Sequence, residues 1–292
     1  MKDLVDYSKI DLHIHTINSD GTDNYLELVK KLLRKKVQIF STTEHDTLNN
    51  IKDIIKIAKE SNIKYINGIE ITSCDNNGRY HILGYGFDEN DIEFNNFIDS
   101  LIILRKNKTI KRLEYLENKK GIFFPEDEKL KLLSRDNPCK PHIVELLLKY
   151  NYIKNIKEGI NLVNELEFKN EYIDPAQAIS QIKKSGGISI LAHPIFEDGE
   201  GYIRGRKLEE RIKYLYNLGL DGIEGYYSRY TSVEQEEVLK IANKFGMLVS
   251  IGSDYHGLNK NIDLLQTNIS DNKVINNGVY KLINLLLEKE NY

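Results

Sequence analysis

Short runs of hydrophobic and β-branched residues alternate with amphipathic stretches from residue 1 to about residue 90. After Asp23 the apolar residues Leu26, Val29 and Leu32 recur at helical spacing, which predicts a helix that begins near Asp23. A second helix is predicted after Thr47. Four strands are predicted in this part of the chain, at Ile10–His15, Val37–Thr43, Ile63–Ile69 and Arg79–Gly84.

The same alternation returns after about residue 172. Asp174 and Pro175 form an N-cap followed by a first-turn proline, and Thr231 and Glu234 have the spacing of a capping box. Further elements are predicted as strands at Ile188–Leu191, Gly222–Gly225 and Met247–Ile251 and as helices at Leu208–Leu218 and Tyr280–Glu288. Seven strands with intervening helices predict an α/β protein whose parallel sheet closes, or nearly closes, into a barrel.

The pattern is helical throughout between about Glu93 and Glu171. Three apolar-periodic segments are separated by loops that contain proline and glycine, and they lie at Phe97–Leu116, His142–Tyr150 and Ile156–Leu166. We interpret residues 93–171 as a helical insertion, carried by a barrel that residues 1–92 and 172–292 form.

The composition disfavours several classes of protein. The chain has 292 residues, with 41 Lys+Arg against 44 Asp+Glu, and its net charge of −3 disfavours binding to long duplex nucleic acid. The two cysteines, Cys74 and Cys139, lie far apart, and no apolar run of signal-peptide type begins the sequence. We therefore expect a cytoplasmic protein with no membrane-spanning segment.

The positions of the seven histidines carry the strongest functional signal. Six lie in predicted strands or at their ends, at His13, His15, His45, His81, His193 and His256. The carboxyl ends of barrel strands converge on one face, so residues that are distant in sequence can share one pocket. His13 and His15 project from the same side of their strand because strand side chains alternate with a period of two. Asp254 and His256 have the same spacing.

Two further carboxylates belong to this pattern. Glu70 closes the third predicted strand, and Asp20 follows the first. Mixed nitrogen and oxygen ligands suit Zn²⁺, Mn²⁺ or Fe²⁺, and without a cysteine cluster a structural zinc site of finger type is excluded. Each of these residues alone is more typical of an ordinary core or surface position, but together they predict a multinuclear metal site.

The segments that carry this pattern are Asp11–Thr16 with Ser19–Gly21, Glu44–Asp46, Gly68–Glu70, His193–Pro194 and Gly252–Gly257. In their order and spacing they resemble the four motifs of the polymerase and histidinol phosphatase (PHP) family, over about residues 8–90 and 185–258. The resemblance implies a distorted seven-stranded (β/α) barrel with two or three divalent ions, Mn, Fe or Zn, at its carboxyl face.

The resemblance also implies which residues hold the ions. The ligands form three groups: His13, His15, Glu70 and Asp254; Glu70, His81 and His193; and Asp20, His45 and His256. Glu70 bridges the first two groups. The sequence departs from the family pattern at Glu44, where many family members have Asp. The longer side chain of Glu44 affects the expected orientation of the neighbouring ligand His45.

Small stand-alone members of the family with a helical insertion are the most similar. These resemble phosphoesterases that act on nucleoside 3′,5′-bisphosphates and on the ends of short RNA. Their insertion carries a basic Pro-His-Ile segment, which Lys140–Ile143 resembles, with Arg135 upstream. The seventh histidine, His142, lies in this segment and is equally well explained as a solvent-facing residue at a helix start.

The resemblance implies hydrolysis of a phosphomonoester by a metal-bridging hydroxide that attacks phosphorus in line with the leaving oxygen. Catalytic candidates are Asp46, as an alternative to a metal-associated water for protonating the leaving group, and the ligand His256. Substrate-binding candidates are Arg135, Lys140, His142 and Arg229. The expected substrate is a small phosphorylated molecule, a nucleotide or a short oligonucleotide.

Three other functions remain open from the sequence. A histidinol-phosphate phosphatase uses the same metals with a different pocket, and the basic insertion disfavours its small cationic substrate. A metal-dependent amidohydrolase is favoured by a bridging lysine, and no predicted strand end carries one. A non-enzymatic metal-binding PHP module is favoured by a missing ligand, and none of the nine is missing.

Overall fold

The computed structural model describes residues 5–135, 137–166, 168, 171–196, 201–269 and 274–289. The strands of these residues form two sheets. The first contains three short parallel strands, β1 (Ile10–Asp11), β2 (Ile39–Phe40) and β3 (Lys64–Tyr65). The second contains five strands in chain order, β4 (Gly68–Asp75), β5 (Gly78–Tyr85), β6 (Ile188–Leu191), β7 (Gly222–Tyr227) and β8 (Leu248–Gly252).

Backbone pairing joins the two sheets in the segments that follow β1 and β2. The Leu12 amide donates to the Ile251 carbonyl at 2.9 Å, and His45 forms a parallel bridge with Glu70. The strands and helices of the structure confirm the predicted α/β class. Within the described residues the strands pair as two linked sheets and not as one continuous closed sheet.

The fully parallel pairing that the sequence predicts is wrong at β5. This strand is antiparallel to both β4 and β6. It follows β4 through a turn at Asn76 and Asn77, and two residues leave no room for the crossover that a parallel connection requires. The strand predicted at Ile63–Ile69 is two strands in the structure, β3 and β4, which are separated by Ile66 and Asn67 and belong to different sheets.

Ten α-helices lie in the described residues: α1 (Tyr25–Arg34), α2 (Ile51–Glu60), α3 (Ile92–Lys120), α4 (Glu126–Leu133), α5 (Lys140–Lys149), α6 (Ile156–Asn164), α7 (Pro175–Lys184), α8 (Arg206–Asn217), α9 (Ser232–Phe245) and α10 (Asn277–Lys289). The predicted capping box of Thr231 and Glu234 is present at α9, and Asp174 caps α7. Asn24 caps α1, whereas Asp23 pairs with Lys31. No helix in the described ranges is long and apolar enough to span a membrane.

Helices α3 to α6 lie in the segment that we interpret as an insertion. The sequence predicts a loop where α4 lies, because its charged residues hide the apolar period. Phe97 and Leu101, in the first half of α3, pack in the main core. Leu113 and Leu116, near the end of α3, pack instead in a second hydrophobic cluster with Leu147 of α5. The 29-residue α3 thus connects the two cores.

Leu147→Ala tests the second core. Leu147 is fully buried, so removing its side chain should lower the free energy of unfolding by about 2–5 kcal/mol. The matched control is Leu130→Ala in α4, where the side chain is exposed and the expected change is within about 0.5 kcal/mol. Urea denaturation measures both variants, and equal effects would show that the second cluster is not a packed core.

Candidate metal centre

Six histidines meet at one site around the strand ends. They are His13 and His15 after β1, His45 after β2, His81 within β5, His193 after β6 and His256 after β8. The ring centroids of His15 and His256 are 4.1 Å apart, and those of His81 and His193 are 5.2 Å apart. The strand-end loops, together with β5, therefore bring together the six histidines that the sequence predicts as ligands.

Glu70 lies in the middle of these rings with only 1% of its surface exposed. Its two carboxylate oxygens lie 2.9–3.3 Å from a ring nitrogen of each of five histidines, namely His13, His15, His45, His81 and His193. A carboxylate in this position can bridge two ions, because each oxygen faces a different set of nitrogen donors.

Asp254 and Asp20 lie on either side of His256. Asp254 Oδ1 is 3.4 Å from His256 Nδ1 and 3.5 Å from His15 Nε2, and Asp20 Oδ1 is 3.2 Å from His256 Nε2. Three sets of donor atoms are close enough to hold an ion: His15, Asp20, His45 and His256; His13, His15 and Asp254; and His45, Glu70 and His81. These observed sets share most of their members with the three groups that the family resemblance implies. They differ in that His15 and His45 each belong to two of the observed sets.

The unpaired atoms of this site fit divalent ions. Five buried side-chain atoms have no hydrogen bond: His13 Nε2, His15 Nε2, His45 Nδ1, His256 Nε2 and Glu70 Oε2. Leaving buried polar atoms unpaired is costly. A divalent transition-metal ion satisfies nitrogen and oxygen lone pairs together, so the donor set fits Zn²⁺, Mn²⁺ or Fe²⁺.

The carboxyl groups of Asp20, Glu70 and Asp254 each have a pKa well below the ordinary value. Burial is the largest single influence and by itself raises each pKa, because it disfavours charge. The facing histidines, and for Asp254 also Lys260, outweigh it. All three groups are therefore ionised at neutral pH, as cation ligands must be.

Glu224, in the middle of β7, orients two of the histidines. Its Oε1 lies 2.9 Å from His13 Nδ1, and its Oε2 accepts the His193 amide at 2.8 Å. A carboxylate only accepts hydrogen bonds, so His13 Nδ1 carries the proton and Nε2 offers its lone pair to the centre. The sequence analysis missed Glu224; a lone acidic residue within an apolar strand was the available signal.

Glu44 has a similar orienting position. Its carboxylate accepts hydrogen bonds from the Thr16 amide at 3.0 Å and from the Ser19 hydroxyl at 2.5 Å. The Ser19 oxygen in turn lies 3.3 Å from His15 Nδ1. The longer Glu side chain thus connects to His15 through Ser19.

Three residues of the site have left-handed backbone conformations, which are rare outside glycine. The φ angles are 52° at Asp46, 30° at His193 and 60° at Asp254. Such conformations cost about 1–3 kcal/mol each and persist where surrounding contacts enforce them. At Asp254 the enforcing contacts are the Tyr227 hydroxyl at 3.0 Å and Lys260 Nζ at 2.7 Å, both on Oδ2.

A cavity of about 980 Å³ adjoins the centre, and Asp20, Glu70 and His193 form part of its wall. Lys140 and Arg229, two of the predicted substrate-binding residues, also line it. The sequence analysis missed its other basic side chains, which are Arg105, Lys108, Arg112, Lys157 and Lys260. The spacing of Arg105, Lys108 and Arg112 on one face of α3 was the available signal.

Arg135 and His142 lie elsewhere. They line a separate cavity of about 160 Å³. His142 Nδ1 accepts the Cys139 amide at 3.2 Å, which turns the imidazole back on the first turn of α5. Arg135 Nη2 lies 3.5 Å from Glu145. The structure thus does not place these two predicted substrate-binding residues at the candidate site.

Asp46 is held by β4 and by α3 of the insertion. Its Oδ1 accepts the Thr72 amide at 2.7 Å, and its Oδ2 is 2.5 Å from Arg105 Nε. Asp46 is absent from the cavity wall, whereas the neighbouring His45 lines it. The carboxylate that we predict as a proton donor is thus engaged in contacts that fix the loop after β2.

This chain is similar to two known bacterial proteins over most of its length. A 5′-3′ exoribonuclease of Haemophilus influenzae is 28% identical over 269 residues, covering 89% of this chain and 96% of that protein. A 3′,5′-nucleoside bisphosphate phosphatase of Chromobacterium violaceum is 22% identical over 263 residues, covering 85% of this chain and 87% of that protein.

The fold is shared with a protein from Bifidobacterium adolescentis that is described as a metal-dependent phosphoesterase. The TM-score is 0.78 at 21% sequence identity, and 96% of each chain is covered. The family model of the PHP domain matches residues 11–173, a span that includes His13, His15, His45 and Glu70. Since this match covers more than half of the sequence, the chain belongs to the PHP domain family.

Proposed function

We propose that this phosphoesterase hydrolyses a phosphate ester of a nucleotide, either a nucleoside 3′,5′-bisphosphate or the 5′ end of a short oligonucleotide. The observation that carries the proposal is a buried cluster of six histidines, five of them around Glu70, beside a cavity with seven basic side chains. The names of the two relatives, an exoribonuclease and a bisphosphate phosphatase, support this substrate class.

We further infer that His13, His15, Asp20, His45, Glu70, His81, His193, Asp254 and His256 hold two or three divalent ions. Such ions lower the pKa of bound water and neutralise charge on phosphate oxygens. The chain itself binds the phosphate through cations that line the cavity, such as Lys140 and Arg229. Asp46 keeps His45 in place through the loop after β2.

The architecture that supports this site is, in our proposal, a barrel of residues 1–92 and 172–292 with residues 93–171 as its insertion. The hydrogen bonds between the two sheets, at Leu12 and at His45, support closure of the strands. The separate hydrophobic cluster around Leu147 supports the division of the chain into a barrel and an insertion.

His13→Ala tests the metal centre. Its Nε2 lies 3.3 Å from Glu70, so its removal should lower metal content and reduce phosphatase turnover by more than about 100-fold. Elemental analysis of the wild-type protein should give about two or three ions of Mn, Fe or Zn per chain. The matched control is His142→Ala, which should retain its metal. Fewer than one ion in the wild type contradicts a multinuclear site.

Glu224→Gln tests the orientation of His13. The amide can present an N–H to His13 Nδ1, which disfavours the tautomer that ligates through Nε2, and the expected loss of metal affinity is about 10- to 100-fold. Chelator competition measures this affinity. Glu234→Gln is the control, because Glu234 is also a buried carboxylate but accepts from Thr231 at the start of α9. An equal loss in both variants would indicate general destabilisation.

A substrate panel assayed with Mn²⁺ tests the substrate class. It contains a nucleoside 3′,5′-bisphosphate, a 5′-phosphorylated oligonucleotide and histidinol phosphate. The basic cavity attracts a second phosphate and repels an ammonium group, so kcat/KM for the nucleotides should exceed that for histidinol phosphate by at least about 10-fold. Preference for histidinol phosphate would favour that phosphatase instead, and no turnover of any ester would favour a non-enzymatic module.

A further inference from the structure

Three cations lie in a row on α3, facing the cavity. Arg105, Lys108 and Arg112 are separated by three and four residues, the spacing that places side chains on one helix face. With a rise of about 1.5 Å per residue, the row is about 10 Å long. The first cation of the row, Arg105, pairs with Asp46, which follows the candidate metal ligand His45.

The middle and far members of the row are buried, and neither forms an ion pair with a carboxylate in the described part of the chain. Lys108 is 7% exposed and Arg112 is 5% exposed. Among the described residues no carboxylate forms an ion pair with either side chain, and Arg112 Nε has no hydrogen bond. Lys108 Nζ instead lies 3.9 Å from the centroid of the Tyr172 ring. Arg112 Cζ lies 4.6 Å from the centroid of the Phe168 ring, and its side chain shares a hydrogen bond with Tyr172. Aromatic and hydroxyl groups do not neutralise these charges, so an anion in the cavity is favoured beside them.

The charges that face Lys108 are mostly positive. Arg105 and Arg112 approach it along α3, and Lys140 approaches from α5. Asp46 is the carboxylate with the largest influence on Lys108 among the described residues, and it is already paired with Arg105. Burial and the neighbouring cations together lower the pKa of Lys108 to about 7, so the amine is largely neutral above neutral pH.

We propose that Lys108 and Arg112 form an anion subsite for a phosphate of the substrate other than the scissile one, and that Lys108 binds a proton from solvent when this phosphate binds. The neutral amine becomes an ammonium, and no other bond changes. The inference rests on the proposed function, because it assigns a second phosphate to the nucleotide. It adds that recognition of this phosphate is coupled to protonation of one lysine.

A dianionic phosphate is the ligand that fits this subsite. Its charge offsets both cations, and its three terminal oxygens can accept hydrogen bonds from the guanidinium and the ammonium together. Once it is bound, the nearby negative charge favours the charged form of Lys108 and raises its pKa. Below neutral pH the lysine is already protonated, so no proton is taken up there.

Isothermal titration calorimetry of the metal-loaded protein tests the coupling without catalysis. A nucleoside 5′-monophosphate is titrated at pH 8 in buffers of different ionisation enthalpy, and proton uptake should approach about one per ligand. At pH 6 the lysine is already protonated and part of the phosphate carries its second proton, so binding of the dianion should give no uptake or a net proton release. Lys108→Arg keeps the charge permanently and should abolish this uptake while retaining binding. Lys157→Met is the control for loss of another lysine in the cavity and should keep the uptake. Equal uptake in wild type and Lys108→Arg would overturn the proposal.

Steady-state kinetics test the subsite itself. Lys108→Met should lower kcat/KM for a nucleoside 3′,5′-bisphosphate by about 10- to 100-fold, through KM, and leave a nucleoside 3′-monophosphate nearly unchanged. An equal loss for both substrates would place Lys108 in general support of the fold and overturn the inference. Failure to hydrolyse either ester, with proton uptake intact, would contradict the proposed function and not the subsite.

Discussion

The buried carboxylate of Glu70 is the constraint on which the site depends. An ionised group with 1% exposure is stable only if charge or donors surround it. Five imidazoles supply this environment and come from four separated segments of the chain. The fold must therefore bring the ends of β1, β2 and β6 and the middle of β5 to one point. The same arrangement leaves ring nitrogens without hydrogen bonds, which suits them to bind cations.

The orientation of these rings depends on a surrounding set of contacts. Glu224 fixes His13 and the backbone of His193, and Glu44 reaches His15 through Ser19. The left-handed backbone at His193 is held by one of these hydrogen bonds. Metal affinity in this chain is thus a property of the packed strands as much as of the ligands themselves.

The insertion contributes charge and position to the same site. Arg105 of α3 pairs with Asp46 beside the ligand His45, while Lys108 and Arg112 of the same helix line the cavity. Because α3 packs in both hydrophobic cores, packing at each end fixes the position of its basic face in the cavity wall. A rigid cationic wall selects ligands by the position of their negative charges.

The sequence alone determined the α/β class and the nine candidate ligands, because strand alternation and strand-end positions fix where side chains such as His13 and His15 project. It did not determine the antiparallel β5, which follows from a two-residue turn, nor the orienting role of Glu224. Tertiary structure alone decided which basic residues face the cavity, since that depends on how α3 and α5 are rotated against the sheets. For this reason Arg112 lines the cavity while His142 lies outside it.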